Sequence, residues 1–393
     1  MKDKMIASKL KPFGVSVFSE IGQLAARHSA INLAQGFPDF NGPDWMVKYA
    51  HEAMLSDQNQ YSRSQGHPLL VGAISRAFEK LYGLSYNPMS EIGVFCGALE
   101  AVYSCLTGIL NPGDEVILIE PFFDSYPVGV AQAGAVPRFH TLRAPHFELD
   151  LPRLATLFNE KTRVIVLNTP HNPTGKVFTK EELAGIARLC IDHDVIVISD
   201  EVYEHITFDG LKHVPIASLS GMWNRTLTIG SAGKTFSYTG WRVGWAVGPA
   251  ELVTAAQASH QFTTFCAATP LQIAVAHAID HVIHPVDRTL ETLRICNSAN
   301  KTFLSMVLTN VGFKVHPSYG SYFLLADFSS LTDLSDREYA KELIERVGVA
   351  AIPLSSFYSA EPEQGKTLLR FAFCKKVATL AQAERCLTTK LRR

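Results

Sequence analysis

The feature that most constrains the fold is a unit that repeats from about residue 90 to about residue 250. Each unit has a short apolar run, a turn rich in Gly, Pro, Asn or Asp, and then a segment with the amphipathic spacing of a helix. Several runs are apolar without alternation, as in strands covered on both faces, so the pattern predicts a mainly parallel sheet between helices. The predicted strands are 92–95, 115–119, 163–167, 195–199, 226–229 and 245–247, and the predicted helices are 99–109, 127–133, 180–193 and 250–262.

The pattern changes after about residue 285. A helical stretch at 284–308 precedes strand-like segments at 312–316 and 322–328, a helix at 336–347 and an apolar run at 368–373. We therefore predict a three-layer αβα large domain at 42–285 and a smaller α+β domain formed by 1–41 and 286–393, with one long helix between them. In an open sheet of this kind, ligands lie beyond the carboxyl ends of the strands. The residues after each apolar run are therefore the candidates for chemistry.

Charge and composition restrict the class of partner. The 36 basic and 37 acidic residues give a formal charge of -1, which provides no overall field to attract nucleic acid or an anionic membrane. The seven cysteines include no C-x-x-C pair, so neither a disulfide framework nor a metal site is predicted. The N-terminus lacks the apolar run of about 7–15 residues of a secretory signal, and no stretch reaches the roughly 20 apolar residues of a membrane span. We expect a cytoplasmic protein with a small-molecule substrate.

Three polar residues follow the predicted strand 226–229, namely Ser231, Lys234 and Arg242. A lysine enclosed at a strand end loses solvation, which disfavours its cation and leaves a neutral amine able to attack an aldehyde. Ser231 and Arg242 suit a dianionic phosphate, because a guanidinium binds such a group through two bonds. The alternative is a phosphate-binding loop of another kind with a solvated lysine.

These residues form an S-x-x-K-x-x-x-x-x-G-x-R arrangement that resembles the cofactor motif of the class I/II aminotransferases, which are pyridoxal-phosphate enzymes of fold type I. Further matching segments are N-T-P-H-N-P-T-G at 168–175, S-D-E-V-Y at 199–203 and L-R-F at 369–371. Segments 35–40, 200–205 and 349–355 are most similar to the methionine, kynurenine and glutamine aminotransferase group. The resemblance extends over nearly the whole chain.

The resemblance implies that Lys234 holds pyridoxal 5′-phosphate as a Schiff base and moves the proton during catalysis. Asp200 would bond the pyridine nitrogen and keep it protonated, because an adjacent carboxylate stabilises a cation. Tyr203 and Asn172 would bond the phenolic oxygen of the cofactor. The structural alternatives are a helix-capping aspartate, a core tyrosine and a turn asparagine.

The resemblance also implies a phosphate-binding set and a stacking ring. The phosphate set is Ala98, Leu99, Ser231, Arg242 and, reaching across a homodimer interface, Tyr61. The first two open a predicted helix, whose free amides and dipole favour an anion, although an ordinary helix start and a surface tyrosine are the alternatives. Phe123 would stack on the pyridine ring, with Phe122 or plain core packing as the other readings.

For the substrate, the resemblance implies that Arg370 binds the α-carboxylate, with Asn172, Gly36 and Phe18 beside it. Glycine at 36 would belong to a segment that closes over the substrate, or would only permit a turn. An apolar or aromatic side-chain pocket is predicted from Phe18, Tyr61, Phe123, Phe265 and Tyr319. Phe265-Cys266 stands where kynurenine-preferring enzymes have an aromatic–His pair, which argues against kynurenine itself. No basic residue is evident for a distal carboxylate, although Arg63 leaves that possibility open.

The predicted activity is transfer of the α-amino group of an apolar, aromatic or glutamine-like amino acid, with methionine favoured, to a 2-oxo acid by a ping-pong mechanism. Two other functions remain open at this point. One is a β-lyase of the cysteine-conjugate type on the same scaffold, and the other is a non-catalytic regulatory module that binds the cofactor.

Overall fold

The computed structural model describes residues 6–391; residues 1–5 and 392–393, which the predicted smaller domain includes, lie outside the described residues. The strands are β1 Ile31–Asn32, β2 Ile92–Phe95, β3 Glu115–Glu120, β4 Val136–Thr141, β5 Thr162–Asn168, β6 Ile196–Asp200, β7 Thr226–Ser231, β8 Gly244–Val247, β9 Lys314–Val315, β10 Phe323–Asp327, β11 Val349–Ala350, β12 Ile352–Pro353 and β13 Leu368–Ala372.

The α-helices are α1 Val17–Arg27, α2 Asp44–Leu55, α3 Pro68–Tyr82, α4 Ala98–Ile109, α5 Ser125–Gln132, α6 Leu151–Ala155, α7 Lys180–Asp192, α8 Ala232–Thr235, α9 Ala250–Thr263, α10 Thr269–Val282, α11 Thr289–Asn310, α12 Asp336–Glu342 and α13 Val377–Leu391. Short 3₁₀ segments are Ser8–Leu10, Ile216–Ser218, Trp223–Arg225, Thr239–Trp241, Leu354–Phe357 and Pro362–Gly365, and Leu343–Val347 forms a π turn.

The central sheet has seven strands in the order β2-β8-β7-β6-β5-β3-β4. All neighbouring pairs are parallel except those of β8, which runs antiparallel to both β2 and β7. The fold is therefore α/β with a mainly parallel sheet, as predicted. Because β5, β6 and β7 are adjacent and parallel, their carboxyl ends lie side by side at one edge of the sheet.

Helices cover both faces of this sheet. Along β3, Val116 and Leu118 belong to a cluster with α4, α5 and α9, whereas Ile117 and Ile119 belong to a cluster that includes α7. This alternation follows from the two-residue period of a strand. Near β2 and β8, a third cluster joins the sheet to α2, α3 and α10. The result is the predicted three-layer arrangement.

A second sheet, of order β12-β13-β10-β9, is antiparallel and carries the C-terminal residues. The N-terminal segment packs here as well, since β1 pairs in parallel with β11 and α1 contacts β11 and β12. For α1 and β1 this agrees with the expected packing of the first forty residues, whereas Ser8–Leu10 contacts α5 on the central sheet. The domain boundaries at 41/42 and 285/286 remain a prediction.

Most predicted elements occur with their ends shifted by one or two residues, but three differ more. The long helix begins at Thr289 instead of 284, because Pro285 disfavours helix before it and the Asp287 carboxylate accepts the Thr289 amide at 2.8 Å. The predicted strand 312–316 is reduced to β9, and the helix 336–347 ends as a π turn after Glu342. The long helix packs against α13, β9 and β10 of the smaller sheet.

Eleven of the labelled strands and helices were not predicted: β1, β4, β11, β12, α1, α2, α3, α6, α8, α10 and α13. β4 is an edge strand that contains Pro137 and is only partly buried, which is where a sheet tolerates proline. In the part of the chain that the structure describes, no helix is both long enough and apolar enough to cross a membrane.

Candidate active site

The carboxyl ends of β5 and β6 bring two polar residues into register. Asn168 ends β5 and pairs directly with Asp200, which ends β6. The Asn168 side-chain amide donates to the Asp200 main-chain carbonyl at 2.8 Å, and its oxygen accepts the Asn172 amide at 2.7 Å. The N-T-P-H-N-P-T-G segment is therefore tied to the strand end that carries Asp200.

The Asp200 carboxyl group is buried and has two donors. Its Oδ2 accepts from the Tyr126 hydroxyl at 2.5 Å, and its Oδ1 accepts from the Val202 amide at 3.3 Å. Burial raises the pKa of Asp200, and the Tyr126 hydrogen bond opposes that shift. A cationic group placed against this carboxylate would offset the cost of its burial.

Lys234 lies on α8, immediately after β7. Its Nζ donates to Gly36 O at 3.1 Å and to the Tyr322 hydroxyl at 2.8 Å, and the Tyr322 hydroxyl donates to the same Gly36 carbonyl at 2.7 Å. Enclosure of the amine lowers the pKa of Lys234 to about 8. A substantial neutral fraction is therefore present near neutral pH, which is what attack on a carbonyl carbon requires.

A concave surface forms where α4 begins beside β8. A Cβ on Gly97 would lie 2.4 Å from Arg242 Nη2, and a Cβ on Gly244 would lie 2.4 Å from the Ala98 nitrogen. Gly97 also has a φ of 89°, a left-handed value that favours glycine. The first amides of a helix have no acceptor inside it, so Ala98 and Leu99 present N–H groups beside a guanidinium. This arrangement suits an anion.

Arg370 lies on β13 of the smaller sheet and is only 1% exposed. Its Nη1 donates to Asn172 Oδ1 and its Nη2 to Ala34 O, both at 2.8 Å, while its guanidinium lies 4.0 Å from the centre of the Phe323 ring. Burial lowers the pKa of Arg370 to about 10, so the side chain stays charged at neutral pH. Within residues 6–391 its Nε has no hydrogen-bond acceptor, which leaves a donor for an additional ligand.

Aromatic rings border the same space. Phe18 lies 6.1 Å from Phe123 between ring centroids and 5.1 Å from the Arg370 guanidinium. Tyr203 is buried edge-on to Tyr322, with ring centroids 5.0 Å apart. A Cβ on Gly36 would lie 2.5 Å from the Phe323 ring. Because its φ is not in the left-handed region, glycine is needed at 36 for this close approach and not for a turn.

Apart from Tyr322, the side chains described above line one cleft with about 1040 Å³ of empty volume, its open mouth included. Its lining residues are Phe18, Gln35, Gly36, Phe37, Ala98, Leu99, Val102, Phe123, Ser125, Tyr126, Asn168, Asn172, Asp200, Val202, Tyr203, Ser231, Lys234, Arg242, Phe323 and Arg370. Among them is every residue predicted to bind the cofactor or to lie at the α-carboxylate, except Tyr61. Within residues 6–391, no group of three or more His, Cys, Asp and Glu side chains is placed to hold a metal ion.

Three residues predicted for the side-chain pocket do not line this cleft. Tyr61 is 84% exposed and packs edge-on to Phe265, 5.3 Å away. Tyr319 borders a different cavity, beside Lys301 and His316, because its amide and carbonyl bond Gly175 and Phe208. Neither Phe265 nor Tyr319 lines the cleft within this chain, and the side-chain pocket stays a prediction. The assignment of Tyr61 to a partner subunit's phosphate site is not tested by a single chain and stays a prediction.

Sequence reasoning missed Tyr126 and Tyr322. Tyr126 lies in the first turn of α5, three residues after Phe123, and the two ring centroids lie 5.9 Å apart. That spacing is the one available signal, since nothing in the sequence pairs Tyr126 with Asp200. Tyr322 precedes a strand of the smaller sheet and carries no motif.

Comparison with known proteins agrees with this geometry. A family model described as aminotransferase class I and II matches residues 28–385. Rat kynurenine–oxoglutarate transaminase 3 is 40% identical, over 98% of this chain and 90% of its own. The structure of N-succinyldiaminopimelate aminotransferase from Mycobacterium tuberculosis superposes with a TM-score of 0.94 at 42% identity, covering 98% of this chain and 99% of that one.

A third similar protein is YbdL of Escherichia coli, whose structure is described with a methionine aminotransferase function. It superposes with a TM-score of 0.92 at 36% identity, covering 98% of this chain and 99% of that one. The family match and the identities to full-length relatives lead to one conclusion: this chain belongs to the class I and II aminotransferases and is a pyridoxal-phosphate-dependent enzyme.

Proposed function

We propose that this enzyme transfers the α-amino group of an apolar, aromatic or glutamine-like amino acid, with methionine favoured, to a 2-oxo acid. The observation that carries the proposal is the composition of the cleft wall. The charged residues that line it are Asp200, Lys234, Arg242 and Arg370. Each would hold the cofactor or the α-carboxylate, so among residues 6–391 the cleft wall offers no additional cation for a distal carboxylate.

The rest of the wall favours an apolar side chain. Phe18, Phe37, Leu99, Val102 and Phe123 present carbon surface to the cleft. Arg63, the residue that left a dicarboxylate possible, lies outside the cleft and contacts the Met89 sulfur at 3.0 Å. Burial of an apolar substrate side chain contributes about 25 cal/mol per Å² of area removed from water. A charged side chain would lose its hydration in this cleft without gaining a partner.

The residues present fit pyridoxal phosphate, which when bound supplies an aldehyde and an electron sink for the substrate Cα. The concave surface between Gly97 and Gly244 would take the phosphate, with the Ala98 and Leu99 amides, Ser231 and Arg242 as donors. Asp200 would hold the ring nitrogen, and its buried carboxylate is compensated by a cation there. Asn172 and Tyr203 would bond the ring oxygen, and Phe123 would cover the ring face.

The substrate would be held at its carboxylate and activated at its Cα. Arg370 would bind the carboxylate through its planar fork, with the unpaired Nε–H and the Asn172 contact fixing its orientation. Lys234 Nζ, with a pKa of about 8, would accept the proton from Cα and return it to a different carbon. Enclosure by the segment that contains Gly36 would exclude water during these transfers.

We also propose a cytoplasmic homodimer in which the partner subunit's Tyr61 completes the phosphate site. The exposure of Tyr61 and the adjoining Phe265 supports a contact there, since 84% and 46% of these side chains' areas are uncovered in the single chain. Large aromatic side chains of this kind are typical of interfaces.

A panel of amino donors in single turnover, followed by the absorbance of the cofactor, tests the substrate class. Methionine, phenylalanine and glutamine should react with kcat/KM values at least about tenfold above aspartate, because one unpaired polar group costs about 1–3 kcal/mol. N-succinyldiaminopimelate should be as poor as aspartate. A preference for aspartate or N-succinyldiaminopimelate would contradict the proposal. Release of a thiol, pyruvate and ammonia from a cysteine S-conjugate without an oxo acid would assign a β-lyase instead.

A further inference from the structure

Residues 34–37, here called the strap, pass over the cleft, and each of their main-chain carbonyls accepts a hydrogen bond from a side chain. The bonds are Arg370 Nη2 to Ala34 O at 2.8 Å, Lys375 Nζ to Gln35 O at 3.3 Å, Lys234 Nζ to Gly36 O at 3.1 Å, Tyr322 Oη to Gly36 O at 2.7 Å, and Lys375 Nζ to Phe37 O at 2.8 Å. Three of the four donors are cationic side chains. The strap is therefore held by side chains that are distant in sequence.

Lys375 differs from the other donors in its position. It lies three residues after the end of β13, is 3% exposed, and its Nζ lies 4.7 Å from the centre of the Phe37 ring. It does not line the cleft. Among the described residues, no carboxylate lies within ion-pair distance of its ammonium group. Burying an unpaired ammonium is costly, and the two strap carbonyls and the Phe37 ring are its compensation.

The two strap donors that line the cleft, Arg370 and Lys234, would form other interactions once substrate is present. Arg370 would turn its Nη and Nε groups to the substrate carboxylate, and the Lys234 amine would take part in the reaction. Arg370 would then weaken its bond to Ala34, and the bond from Lys234 to Gly36 would form and break as the amine is released and engaged. Lys375 and Tyr322 would remain, and Lys375 is the one cation among the described strap donors that the reaction does not require.

We propose that Lys375 is a positioning residue that holds the strap against the end of β13 and so keeps Gly36 over the bound substrate. This inference rests on the proposed function, because it assigns a task in substrate binding. Neighbouring contacts support the same junction. The Ala372 amide donates to Leu33 O at 2.7 Å, and the Asp39 carboxylate accepts from the Lys376 amide at 2.6 Å and from the Thr379 hydroxyl at 2.5 Å.

The test compares Lys375→Met with Lys376→Met in the cofactor-loaded enzyme. Lys376 is the matched control, since it is adjacent and its side chain is exposed. Lys375→Met should raise the donor KM by about tenfold, the effect of losing a hydrogen bond to a charged group, and change kcat by less than about threefold. Lys375→Arg should have a donor KM close to that of the wild type, because arginine retains a charged hydrogen-bond donor. Lys376→Met should leave both constants unchanged.

Hydrogen–deuterium exchange gives a readout that is independent of turnover. In Lys375→Met, a peptide covering the strap should exchange faster than in wild type, while peptides from β5, β6 and β7 keep their protection. Asp39→Ala removes the carboxylate contacts to Lys376 and Thr379 at a more exposed position. It should also increase exchange of the strap peptide, but by less. This variant replaces Lys375→Met if the latter does not fold.

The proposal is overturned if the lysine variants give equal KM and equal strap exchange. It is also overturned if Lys375→Met speeds exchange throughout the protein, since that result would indicate a general structural role. If the wild-type enzyme fails to transfer amino groups while strap exchange responds as expected, the substrate-binding task fails with the proposed function and the strap attachment alone stands.

Discussion

Two sides of the cleft are built in different ways. The floor, defined here as Asn168, Asp200 and Lys234, follows three adjacent parallel strands, and its positions are set by the ladder of backbone hydrogen bonds. The strap is held by the side chains of Lys234, Tyr322, Arg370 and Lys375. The backbone hydrogen bonds of the ladder break only when the strands of the sheet separate, whereas the side-chain hydrogen bonds to the strap can break one at a time. The comparison indicates that the groups for chemistry are fixed and that those enclosing the substrate are releasable.

Two enclosed lysines, one half-buried and one buried, illustrate this difference. Lys234 and Lys375 both donate to strap carbonyls, and burial lowers the pKa of each. Only Lys234 opens onto the cleft, where a lowered pKa provides a reactive amine. Lys375 does not line the cleft, so its amine cannot reach the substrate. Its ammonium group acts as a hydrogen-bond donor to the strap. We therefore expect the floor to control kcat and the strap side to control KM.

The largest expected effect is that of Lys234→Ala on the floor. Transamination should fall by at least about 10³-fold, because proton transfer by a positioned base alone contributes about 10²–10⁴-fold. The variant should still bind the cofactor through its phosphate and ring contacts. Steady-state rates and the absorbance of the loaded protein measure the two properties. Full activity in this variant would break the comparison, and Lys375→Met is the control for loss of a buried lysine at the strap.

A smaller effect is expected for Arg370→Ala, which acts on substrate binding. Two hydrogen bonds to a carboxylate contribute about 1.5 kcal/mol each at the low end, so the donor KM should rise by about a hundredfold. Arg370→Lys should lie between, because an ammonium keeps the charge and loses the fork. Steady-state kinetics with methionine give the values. A loss confined to kcat, with KM unchanged, would assign Arg370 to the floor and contradict the division.

The smallest effect concerns pH. Because enclosure disfavours the Lys234 cation, its pKa is lowered from 10.5 to about 8, and the neutral fraction rises with pH. The rate at which protein freed of cofactor captures pyridoxal phosphate should therefore rise by about tenfold between about pH 7 and about pH 9 and level off above that range. Stopped-flow absorbance measures this rate. A rise that continues to the ordinary lysine range would show that enclosure does not tune the amine.

The floor could be predicted from the sequence, and the strap attachments could not. Asp200 and Lys234 each follow an apolar run, so a local pattern places them at strand ends. The order of β5, β6 and β7 then brings them together. Lys375 and Tyr322 have no such local pattern, because their partners lie 338 and 286 residues away in sequence. Only the folded chain reveals these pairs.

The same reasoning explains the missed elements and residues. β4 contains Pro137 and begins with the exposed apolar residue Val136, and both features weaken a strand pattern in the sequence. Tyr126 meets Asp200 across 74 residues, between a helix and a strand end that only the packing of α5 on the sheet brings together. Phe265 and Tyr319 were placed in the pocket by residue type alone, and residue type does not specify the direction of a side chain.

The bond from Lys234 Nζ to Gly36 O has a consequence for the timing of the catalytic cycle. A free amine at position 234 donates to Gly36 O and so holds the strap over the cleft. A nitrogen that is covalently bound to another molecule carries fewer N–H donors for that bond. Lys234 Nζ thus both takes part in the reaction and holds the strap in place. The strap can loosen when the Lys234 nitrogen is covalently bound and tighten when that nitrogen is free. Entry and exit of ligands at the mouth of the cleft are thereby coupled to the progress of the reaction.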